Sequence, residues 1–368
     1  MHITDRAFDL QTNSISTLHT WQGTKADTFC FFDIETTGLS AKVSSLYLIG
    51  VLWYDQTDKK IHTKQWFADD YISEKEILCA FTEFISGFTT VVHYNGSGFD
   101  IPYIEKKCRE LELPTPFHDI KSLDLYREIR PLKPLFKTPD LKLFTVEKLA
   151  GFMRKDILSG KECIEVYSRF MQKKYFRDSS METEKQKLLL HNIEDIIGTF
   201  YCAEMLSYRC SMSYKKQTVN PSLLQIDFLS KAAFPSPVKW KSAPYALAFH
   251  DHTVTLEISL YSGELRHFFK DYKNYFYLPA EDTAIHKSVG TYVEKEFRRQ
   301  AKASECYVKK EGLFLPLPSG IEPQDLPLFR PDYRSRQNYL LWDEKVQQDL
   351  SLWEEILHQI INTLSRSK

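Results

Sequence analysis

Apolar runs in the first part of the chain predict buried β-strands. Residues 28–36 (TFCFFDIET) and 46–54 (LYLIGVLWY) are almost continuously apolar, which is typical of strands buried on both faces. Residues 61–68 alternate between apolar and polar, and residues 90–95 and 117–126 are short apolar runs. The pattern therefore predicts five strands.

Helical spacing separates and follows these strands. Residues 73–88 open with a serine and an acidic first turn, and residues 99–113 have helical spacing after Pro102. Residues from about 140 to 212 also show helical spacing. The order of elements predicts a mixed α/β fold, with a five-stranded sheet flanked by helices over residues 25–212.

The pattern changes after residue 212, where the chain becomes irregular and rich in proline and serine. Two alternating runs predict a hairpin over 252–269, and residues 284–301 and 346–366 predict amphipathic helices. We therefore expect four parts, which are an N-terminal extension (1–24), the α/β domain (25–212), a linker (213–221) and a smaller α+β domain of unknown role (222–368).

Composition limits the classes of function. The 368 residues carry a net charge of −1, so nucleic-acid binding would depend on local basic patches or on bound metal. The seven cysteines contain no CxxC pair, which argues against a disulfide framework or a structural zinc site. The N-terminus lacks an apolar signal core, and no apolar stretch reaches membrane-spanning length. These features predict a soluble, cytoplasmic protein.

Two carboxylates interrupt the first apolar run. Asp33 and Glu35 are two positions apart, so both side chains would project from the same face of a strand. Burying two like charges costs several kcal/mol each unless a partner compensates them. A divalent cation such as Mg²⁺ or Mn²⁺ is the simplest partner, because hard cations prefer oxygen ligands. The alternative is a strand end where both acids reach water.

Two later segments add acids of the same kind. Residues 93–104 (HYNGSGFDIPYI) pass from a short strand through two glycines to Asp100. Residues 188–206 form a predicted helix that carries His191 and Asp195 one turn apart. Four carboxylates and one imidazole are therefore candidates for a common site.

These three segments, in this order, resemble the motifs of the DEDD superfamily of metal-dependent 3′–5′ exonucleases, which have a ribonuclease H-like fold. FDIETTGL resembles the first motif, YNGSGFDIPYI the second and HNIEDIIG the third. More narrowly, residues 154–171 (RKDILSGKECIEVYSRFM) leading into HNIEDIIG resemble the YprB-type ribonuclease H-like proteins of bacteria.

The resemblance implies a site with two divalent cations, Mg²⁺ or Mn²⁺. Asp33 would bridge the two ions, Glu35 and Asp195 would complete the shell of the first, and Asp100 would help to hold the second, partly through water. The Thr36 backbone would hold the terminal nucleotide and Leu39 would wedge against its base, with a core leucine as the alternative. Asn95 would shape the loop before Asp100.

His191 departs from the family pattern. The family has either a tyrosine four positions before the third-motif aspartate or a histidine five positions before it, whereas His191 is a histidine at the tyrosine spacing. Four positions on a helix leave the side chains about 40° apart, so His191 can share a face with Asp195. We expect His191 to orient or deprotonate the water bound to the metal. The alternative is a helix-face histidine bonded to a nearby carboxylate.

Two basic and aromatic segments are candidates for contact with nucleic acid. One is residues 126–144, where Arg127, Arg130 and Lys133 precede Lys137 and Lys142, with Tyr126 and Phe136 among them. A solvated charged face is the alternative. The other is residues 266–279, for which packing of the aromatic rings into a core is the alternative.

The sequence thus predicts a metal-dependent 3′–5′ exonuclease whose partner is nucleic acid with a 3′ end, most simply single-stranded. Two alternatives stay open, an endonuclease with the same site and a catalytically silent nucleic-acid-binding module. DNA and RNA are both open, because the choice depends on how the pocket treats the 2′-hydroxyl group.

Overall fold

A computed structural model describes residues 1–9, 12–23, 28–323 and 325–364. The chain divides into two compact units. Unit 1 consists of Met1–Ser211 with Lys231–Ser236, and unit 2 consists of Met212–Ser230 with Pro237–Lys368.

Unit 1 is built on a six-stranded sheet in the order β1-β4-β3-β2-β5-β6. The pairs β1–β4, β4–β3 and β3–β2 are antiparallel, whereas β2–β5 and β5–β6 are parallel. The mixed sheet places the apolar strand β2 in the interior, where it has neighbours on both sides. The strands are β1 (His2–Phe8), β2 (Phe29–Thr36), β3 (Leu46–Asp55), β4 (Lys60–Phe67), β5 (Thr90–His93) and β6 (Lys121–Asp124).

Helices follow the strands of unit 1. The helix α7 begins with a capping box, in which the Ser159 hydroxyl accepts from Glu162 N–H and the Glu162 carboxylate accepts from Ser159 N–H. The helices are α1 (Ser14–Gln22), α2 (Glu74–Ile85), α3 (Asp100–Glu110), α4 (Leu125–Ile129), α5 (Lys133–Phe136), α6 (Leu143–Leu149), α7 (Gly160–Tyr175) and α8 (Met181–Cys202).

The strand β1 corrects the predicted N-terminal extension and the predicted number of strands. Residues His2–Phe8 pair in full with β4, from His2 opposite Phe67 to Phe8 opposite Ile61. The segment HITDRAF is mostly exposed and polar, so it lacks the apolar alternation from which a strand is predicted. Its place in the sheet depends on backbone pairing with a strand about 60 residues away, and the sheet therefore has six strands.

The aromatic residues of β2 anchor the sheet to helices on both of its faces. Phe31 packs edge-on against Phe200 of α8, with ring centroids 5.1 Å apart, and Phe32 lies 5.6 Å from Phe81 of α2. Both β2 side chains are buried. The two rings pack into opposite layers. This packing fixes the orientation of β2 and therefore the direction of the side chains that follow along the strand.

Unit 2 contains three antiparallel sheets, in the orders β7-β8-β11-β10-β9, β12-β16-β18-β17 and β14-β13-β15. Its longest helix, α11, confirms the helical spacing seen near the end of the chain. The strands are β7 (Met212–Asn220), β8 (Leu223–Ser230), β9 (Val238–Ser242), β10 (Tyr245–His250), β11 (Thr253–Ser259), β12 (Tyr261–Phe268), β13 (Tyr275–Leu278), β14 (Thr283–His286), β15 (Arg299–Gln300), β16 (Tyr307–Pro316), β17 (Leu328–Phe329) and β18 (Tyr339–Leu341), and the helices are α9 (Lys287–Gly290), α10 (Glu344–Gln347) and α11 (Leu350–Thr363).

Three predictions for this half of the chain are wrong. Residues 213–220 of the predicted linker 213–221 lie in β7, which pairs with β8. The predicted hairpin 252–269 is two strands in different sheets, because β11 pairs with β8 and β10 while β12 pairs with β16. The predicted helix 284–301 instead contains β14, the short helix α9 and β15, because its ends pair with β13. In each case the strand's partner lies outside the window from which the pattern was read.

Candidate active site

The strand β2 presents Asp33 and Glu35 near its C-terminal end. Glu35 is 8% exposed and Asp33 is half-buried. A register shift between Glu35 and Thr36 marks a bulge in the pairing of β2 with β3. Bulges re-aim side chains at the end of a strand, and this one lies beside both acids.

The helix α8 brings Asp195 and His191 to the same place. One carboxylate oxygen from each of Asp33, Glu35 and Asp195 lies within 4.8 Å of the others. The Nε2 atom of His191 lies 3.4 Å from Asp195 Oδ2 and 3.5 Å from Glu35 Oε1. His191 and Asp195 therefore share the face of α8 that covers the end of β2.

Asp100 approaches this cluster from the first residue of α3. It is 8% exposed, and the backbone N–H groups of Asp100 itself and of Ile34 partly offset the rise in its pKa that burial causes. A Cβ at Gly96 would lie 3.1 Å from Asp100 Oδ2 and 2.7 Å from His93 Nδ1. A glycine at position 96 thus lets the loop fold tightly over the acid.

A buried acid, Asp124, holds the loop that precedes Asp100. Its carboxylate accepts from Asn95 N–H at 2.9 Å and from Tyr126 N–H at 3.1 Å. Asn95 is exposed and has a φ of 61°, a left-handed conformation that asparagine tolerates better than most residues. This geometry accords with the predicted part of Asn95 in shaping the loop.

The acids repel one another where they meet. Burial, followed by the charges of Asp195, Asp100 and Glu35, raises the pKa of Asp33 well above its ordinary range. Burial is also the largest cause that raises the pKa of Glu35 and of Asp100, each to about 7. A bound cation would remove this repulsion, and a donor set made only of carboxylate oxygens fits a hard divalent ion.

A buried carboxylate that the sequence analysis missed, Asp156, orients His191. Its Oδ2 atom lies 2.6 Å from His191 Nδ1, and both residues are at most 7% exposed. Burial opposes the charged imidazole, but the carboxylates of Glu35 and Asp195 and the hydrogen bond to Asp156 raise the pKa of His191. The predicted alternative of a carboxylate-bonded histidine is therefore present at Nδ1, while Nε2 faces the acidic cluster.

A second missed residue, Arg154, holds Asp195. Its Nη1 donates to Asp195 Oδ1 at 2.6 Å, while its Nε donates to Glu147 Oε1 at 2.6 Å and its Nη2 to Glu147 Oε2 at 2.5 Å. Glu147 is fully buried, so the planar guanidinium compensates a charge that would otherwise be costly. Because Arg154 binds the Oδ1 atom of Asp195, the Oδ2 atom is left facing His191.

The rest of the third motif fastens α8 to the site. Glu194 accepts from Asp156 N–H at 2.6 Å and from Lys155 N–H at 2.9 Å, which holds the segment that carries Arg154. Asn192 donates to Asp33 Oδ2 at 3.0 Å and accepts from Gln65 at 2.9 Å. Each polar residue of the run HNIED therefore has a separate partner.

Gly198 is a close-packing position behind the site. A Cβ there would lie 2.3 Å from Glu147 Oε2, which cannot retreat because Arg154 clamps both of its oxygens. We expect Gly198→Ala to lower the free energy of unfolding by about 1–3 kcal/mol, although alanine is the better helix former. Denaturant unfolding measures this change.

Gly160→Ala is the matched control for that substitution. Gly160 also lies in a helix, at the start of α7, and a Cβ there meets nothing within 4 Å. We expect it to be neutral or to stabilise by up to about 1 kcal/mol. Equal losses of stability in the two variants would contradict the close packing of Glu147 against α8.

Arg154 and Asp156 had a signal in the sequence. Both lie in RKDIL, at the start of the segment 154–171 that carries the narrower family resemblance. A charged triplet followed by two apolar residues is typical of an exposed turn. The pattern alone therefore predicts that these charged side chains face solvent. Only the contacts with Glu147, His191 and Asp195 reveal that these two side chains point inward.

Thr36 and Leu39, the predicted substrate contacts, lie next to the acids. Thr36 is 8% exposed, and its hydroxyl donates to the Gly38 carbonyl at 2.8 Å. Leu39 is 87% exposed, which excludes the alternative of a core leucine. The Ser44 hydroxyl bonds Tyr103 of α3 at 2.9 Å, which ties this loop to the helix that carries Asp100.

The basic side chains of the predicted stretch 126–144 are exposed, but two of its aromatic rings pack against other rings of the domain. Arg127, Arg130 and Lys133 are all exposed, and Lys133 Nζ donates to the Pro139 carbonyl at 2.9 Å. The ring of Phe136 packs edge-on against Tyr208, with centroids 5.3 Å apart. These basic residues stay candidates for phosphate contacts, while Phe136 does not offer a free stacking face.

The aromatic segment 266–279 packs within unit 2. Phe269 stacks on Tyr275 with centroids 4.5 Å apart, and Phe268 packs against Tyr307 at 5.3 Å. Tyr277 donates its hydroxyl to Asp282 at 2.6 Å. These contacts agree with the alternative in which the rings have a structural role.

Comparisons with known proteins find similarity to parts of this chain. Residues 30–207 match the family model of the RNase H superfamily. A stretch of 52 residues is 36% identical to a DNA polymerase of Ostreid herpesvirus 1 (isolate France), which is 14% of this chain and 3% of the viral protein.

Two solved structures are similar to part of this chain. The family B DNA polymerase of the archaeon Pyrobaculum calidifontis has 15% identity and a TM-score of 0.37, over 68% of this chain and 35% of the polymerase. Exonuclease I of E. coli, in the metal-free form of its complex with single-stranded DNA, has 16% identity and a TM-score of 0.32, over 50% of this chain and 40% of the exonuclease. The chain thus spans less than half of either protein.

The family-model match and the sheet order assign the fold. The strand β2 lies between an antiparallel and a parallel neighbour, with α2, α3, α7 and α8 around the sheet, and these elements form a ribonuclease H-like domain. Within the described ranges, none of the helices is long and apolar enough to cross a membrane.

Proposed function

We propose that this ribonuclease H-like domain is a nuclease that depends on two divalent cations and removes nucleotides from the 3′ end of DNA or RNA. One observation carries the proposal, namely that carboxylates from β2 and α8, up to 162 positions apart in sequence, bring oxygens within 4.8 Å of one another beside the buried Asp100 of α3, so that these groups repel one another. Such mutual repulsion inside a fold is costly, and metal ligation is the function that most directly accounts for it.

Each acid has a place in the proposed site. Asp33 would be shared by the two ions, Glu35 and Asp195 would complete the first set of ligands, and Asp100 would serve the second. When bound, the pair of Mg²⁺ or Mn²⁺ ions would supply charge stabilisation at the attacking and leaving oxygens of the phosphodiester. Asn192 supports this assignment, because its side chain donates to Asp33 Oδ2 at 3.0 Å and so helps to hold that carboxylate in place.

His191 is the proposed general base. Its Nε2 atom is directed toward Glu35 and Asp195, and its Nδ1 is engaged by Asp156. An N–H at Nδ1 that donates to the Asp156 carboxylate leaves Nε2 with its lone pair, as proton abstraction requires. Asp156 is thus a positioning residue, since it sets the tautomer and stabilises the imidazolium that forms when His191 accepts a proton from the attacking water.

Arg154 is a second positioning residue. It engages Asp195 through Oδ1 only, so that Oδ2 stays available on the side of His191. The placement of Arg154 and Asp156 beside the third motif supports the narrower proposal that the chain is of the YprB type, whose resemblance lies in residues 154–171.

The substrate would enter past exposed apolar residues. Leu39 is 87% exposed after β2, and Met153 and Ile157, which flank Arg154 and Asp156, are 71% and 93% exposed. Apolar side chains beside a polar site suit contact with unstacked bases, which favours an unpaired 3′ end. The exposed Arg127, Arg130 and Lys133 would contact phosphates.

The proposal is tested with end-labelled single-stranded and double-stranded DNA and RNA in the presence of Mg²⁺ or Mn²⁺. We expect metal-dependent release of mononucleotides from the 3′ end, with single strands degraded faster than duplexes. Substrates blocked at the 3′ end and circular substrates should resist cleavage.

Two controls define the result. Asp100→Ala should lose at least about 10²-fold of the rate, because the second set of ligands is then incomplete, while Asp119→Ala, whose side chain is 92% exposed, should not. Cleavage of circles would favour an endonuclease with the same site. If wild type and Asp100→Ala were equally inert on every substrate while nucleic acid was still bound, the chain would instead be a silent binding module.

A further inference from the structure

A buried cysteine lies against the acidic cluster and takes no part in the proposed reaction. The Sγ atom of Cys163, a carboxylate oxygen of Glu35 and a ring nitrogen of His191 all lie within 4.8 Å of one another. Cys163 is on α7 and is fully buried. In the part of the chain that the structure describes, its thiol makes no hydrogen bond, so the position is not explained by a polar contact of its own.

The chemistry of this triplet differs from that of the four acids. Mg²⁺ and Mn²⁺ bind oxygen and have little preference for sulfur, so Cys163 would contribute nothing to the proposed catalytic pair. Zn²⁺ binds thiolate, imidazole and carboxylate together, and sites with three protein ligands are common for it. A thiol, an imidazole and a carboxylate side by side therefore select a softer ion than the neighbouring cluster does.

The orientation of His191 fits the same ion. Its Nδ1 is 2.6 Å from Asp156 Oδ2, so Nε2 is the nitrogen directed toward Glu35, at 3.5 Å from Oε1. A carboxylate bonded to the far nitrogen of a ligating histidine is the usual support of a zinc site, because it fixes the ring and its tautomer. The 3.5 Å spacing of the two ligand atoms is close to one edge of a tetrahedron around Zn²⁺.

We propose that Glu35, Cys163 and His191 form an inhibitory Zn²⁺ site that overlaps the catalytic site. Zn²⁺ binding would break the S–H bond of Cys163, release its proton to solvent and create a zinc–thiolate bond. The same ion would occupy Glu35 and the Nε2 atom of His191. Zn²⁺ would therefore remove a ligand from the catalytic pair and block the general base in one step.

The binding test uses Co²⁺ as a spectroscopic substitute for Zn²⁺. Titration of the full chain with Co²⁺ should produce a thiolate-to-cobalt charge-transfer band, and stoichiometric Zn²⁺ should abolish that band. Co²⁺ bound only by carboxylates gives no such band. We expect Cys163→Ala to lose the band and Cys108→Ala, an equally buried cysteine on α3, to retain it. Cys163→Ser serves as a second variant if the alanine variant does not fold.

The inhibition test rests on the proposed function. With Mn²⁺ in excess, we expect the Zn²⁺ concentration that halves the nuclease rate to rise at least about 10-fold in Cys163→Ala, with the rate in the absence of Zn²⁺ unchanged. An unchanged Zn²⁺ sensitivity would overturn the inhibitory role. Absence of the charge-transfer band in wild type, or its persistence in Cys163→Ala, would overturn the site itself. The spectroscopic result holds whether or not the chain proves to be a nuclease.

Discussion

Asp33→Asn is expected to abolish nuclease activity and, at neutral pH without metal, to make the protein more stable. The proposed bridging ligand would be lost, so the rate should fall by about 10³-fold or more. The structure of the site predicts the second effect, because Asp33 is repelled by Asp195, Asp100 and Glu35. Removing one charge from a buried group of like charges reduces the electrostatic repulsion among those that remain.

The raised pKa values of the site determine how the stability of the metal-free protein changes with pH. The pKa of Glu35 and of Asp100 rises to about 7 on folding, chiefly through burial. A carboxyl group whose pKa is raised in the folded state holds its proton more tightly there than in the unfolded chain. The contribution of these two carboxyl groups to the stability of the metal-free protein should therefore be largest below about pH 4, fall between about pH 4 and about pH 7 and then level off.

Thermal or denaturant unfolding of chelator-treated protein between pH 5 and pH 8 measures the effect. Near pH 8, Asp33→Asn should be more stable than wild type by about 1–3 kcal/mol, and the difference should shrink toward pH 5. Saturating Mn²⁺ should stabilise wild type by about 2–3 kcal/mol at a hundred times its Kd but should leave the variant almost unchanged.

Asp119→Asn is the control for the general effect of removing an aspartate charge. Its side chain is 92% exposed, so neither activity nor pH dependence should change. The metal-site interpretation fails if Asp33→Asn retains wild-type activity, or if metal-free wild type and variant have the same stability at pH 8.

His191→Ala is expected to lower the nuclease rate by about 10²–10⁴-fold, the usual loss when a general base is removed. Asp156→Asn should cost about 10- to 100-fold, because the ring keeps its place but loses the carboxylate that fixes its tautomer and supports its charge. Both variants retain the four carboxylates, so calorimetric Mn²⁺ binding should remain within a few-fold of wild type.

The pH–rate profile separates a general base from a structural histidine. Asp156→Asn should shift the acidic limb of the profile to lower pH, since the Asp156 carboxylate is one of the groups that raise the pKa of His191. His191→Ala should lose that limb. His118→Ala, with a side chain 85% exposed, is the control and should match wild type. A His191→Ala profile that coincides with wild type in rate and shape would exclude the base role.

The placement of Asp33 beside Glu35 and of His191 beside Asp195 was predictable because its signals are local. The strand β2 is a continuous apolar run, so two carboxylates at its end are conspicuous, and the period of a strand puts Asp33 and Glu35 on one face. The helical period likewise puts His191 within reach of Asp195, as the 3.4 Å separation confirms. Both inferences need only the geometry of a single element.

The supporting residues required the tertiary structure. Arg154 and Asp156 lie in a charged, turn-like part of the sequence and Glu147 lies in the helix α6, and nothing in their spacing indicates the ion pairs and hydrogen bonds that join Arg154 and Asp156 to α8. Their direction is decided by partners 35 to 41 positions away in His191 and Asp195. A sequence pattern cannot supply this information, since burial of a charge depends on which opposite charge the fold delivers to it.

The same distinction separates the two units. In unit 1 the apolar runs are long enough to determine buried strands, so the sequence by itself determined the mixed sheet, the helix α8 and the acids that they carry. In unit 2 the apolar runs are short and alternating. The strand β12 pairs with β16 there and not with β11. Tertiary structure alone decided those pairings and the edge strand β1, because backbone hydrogen bonds between strands are not specific to side chains, and packing across long separations selects among them.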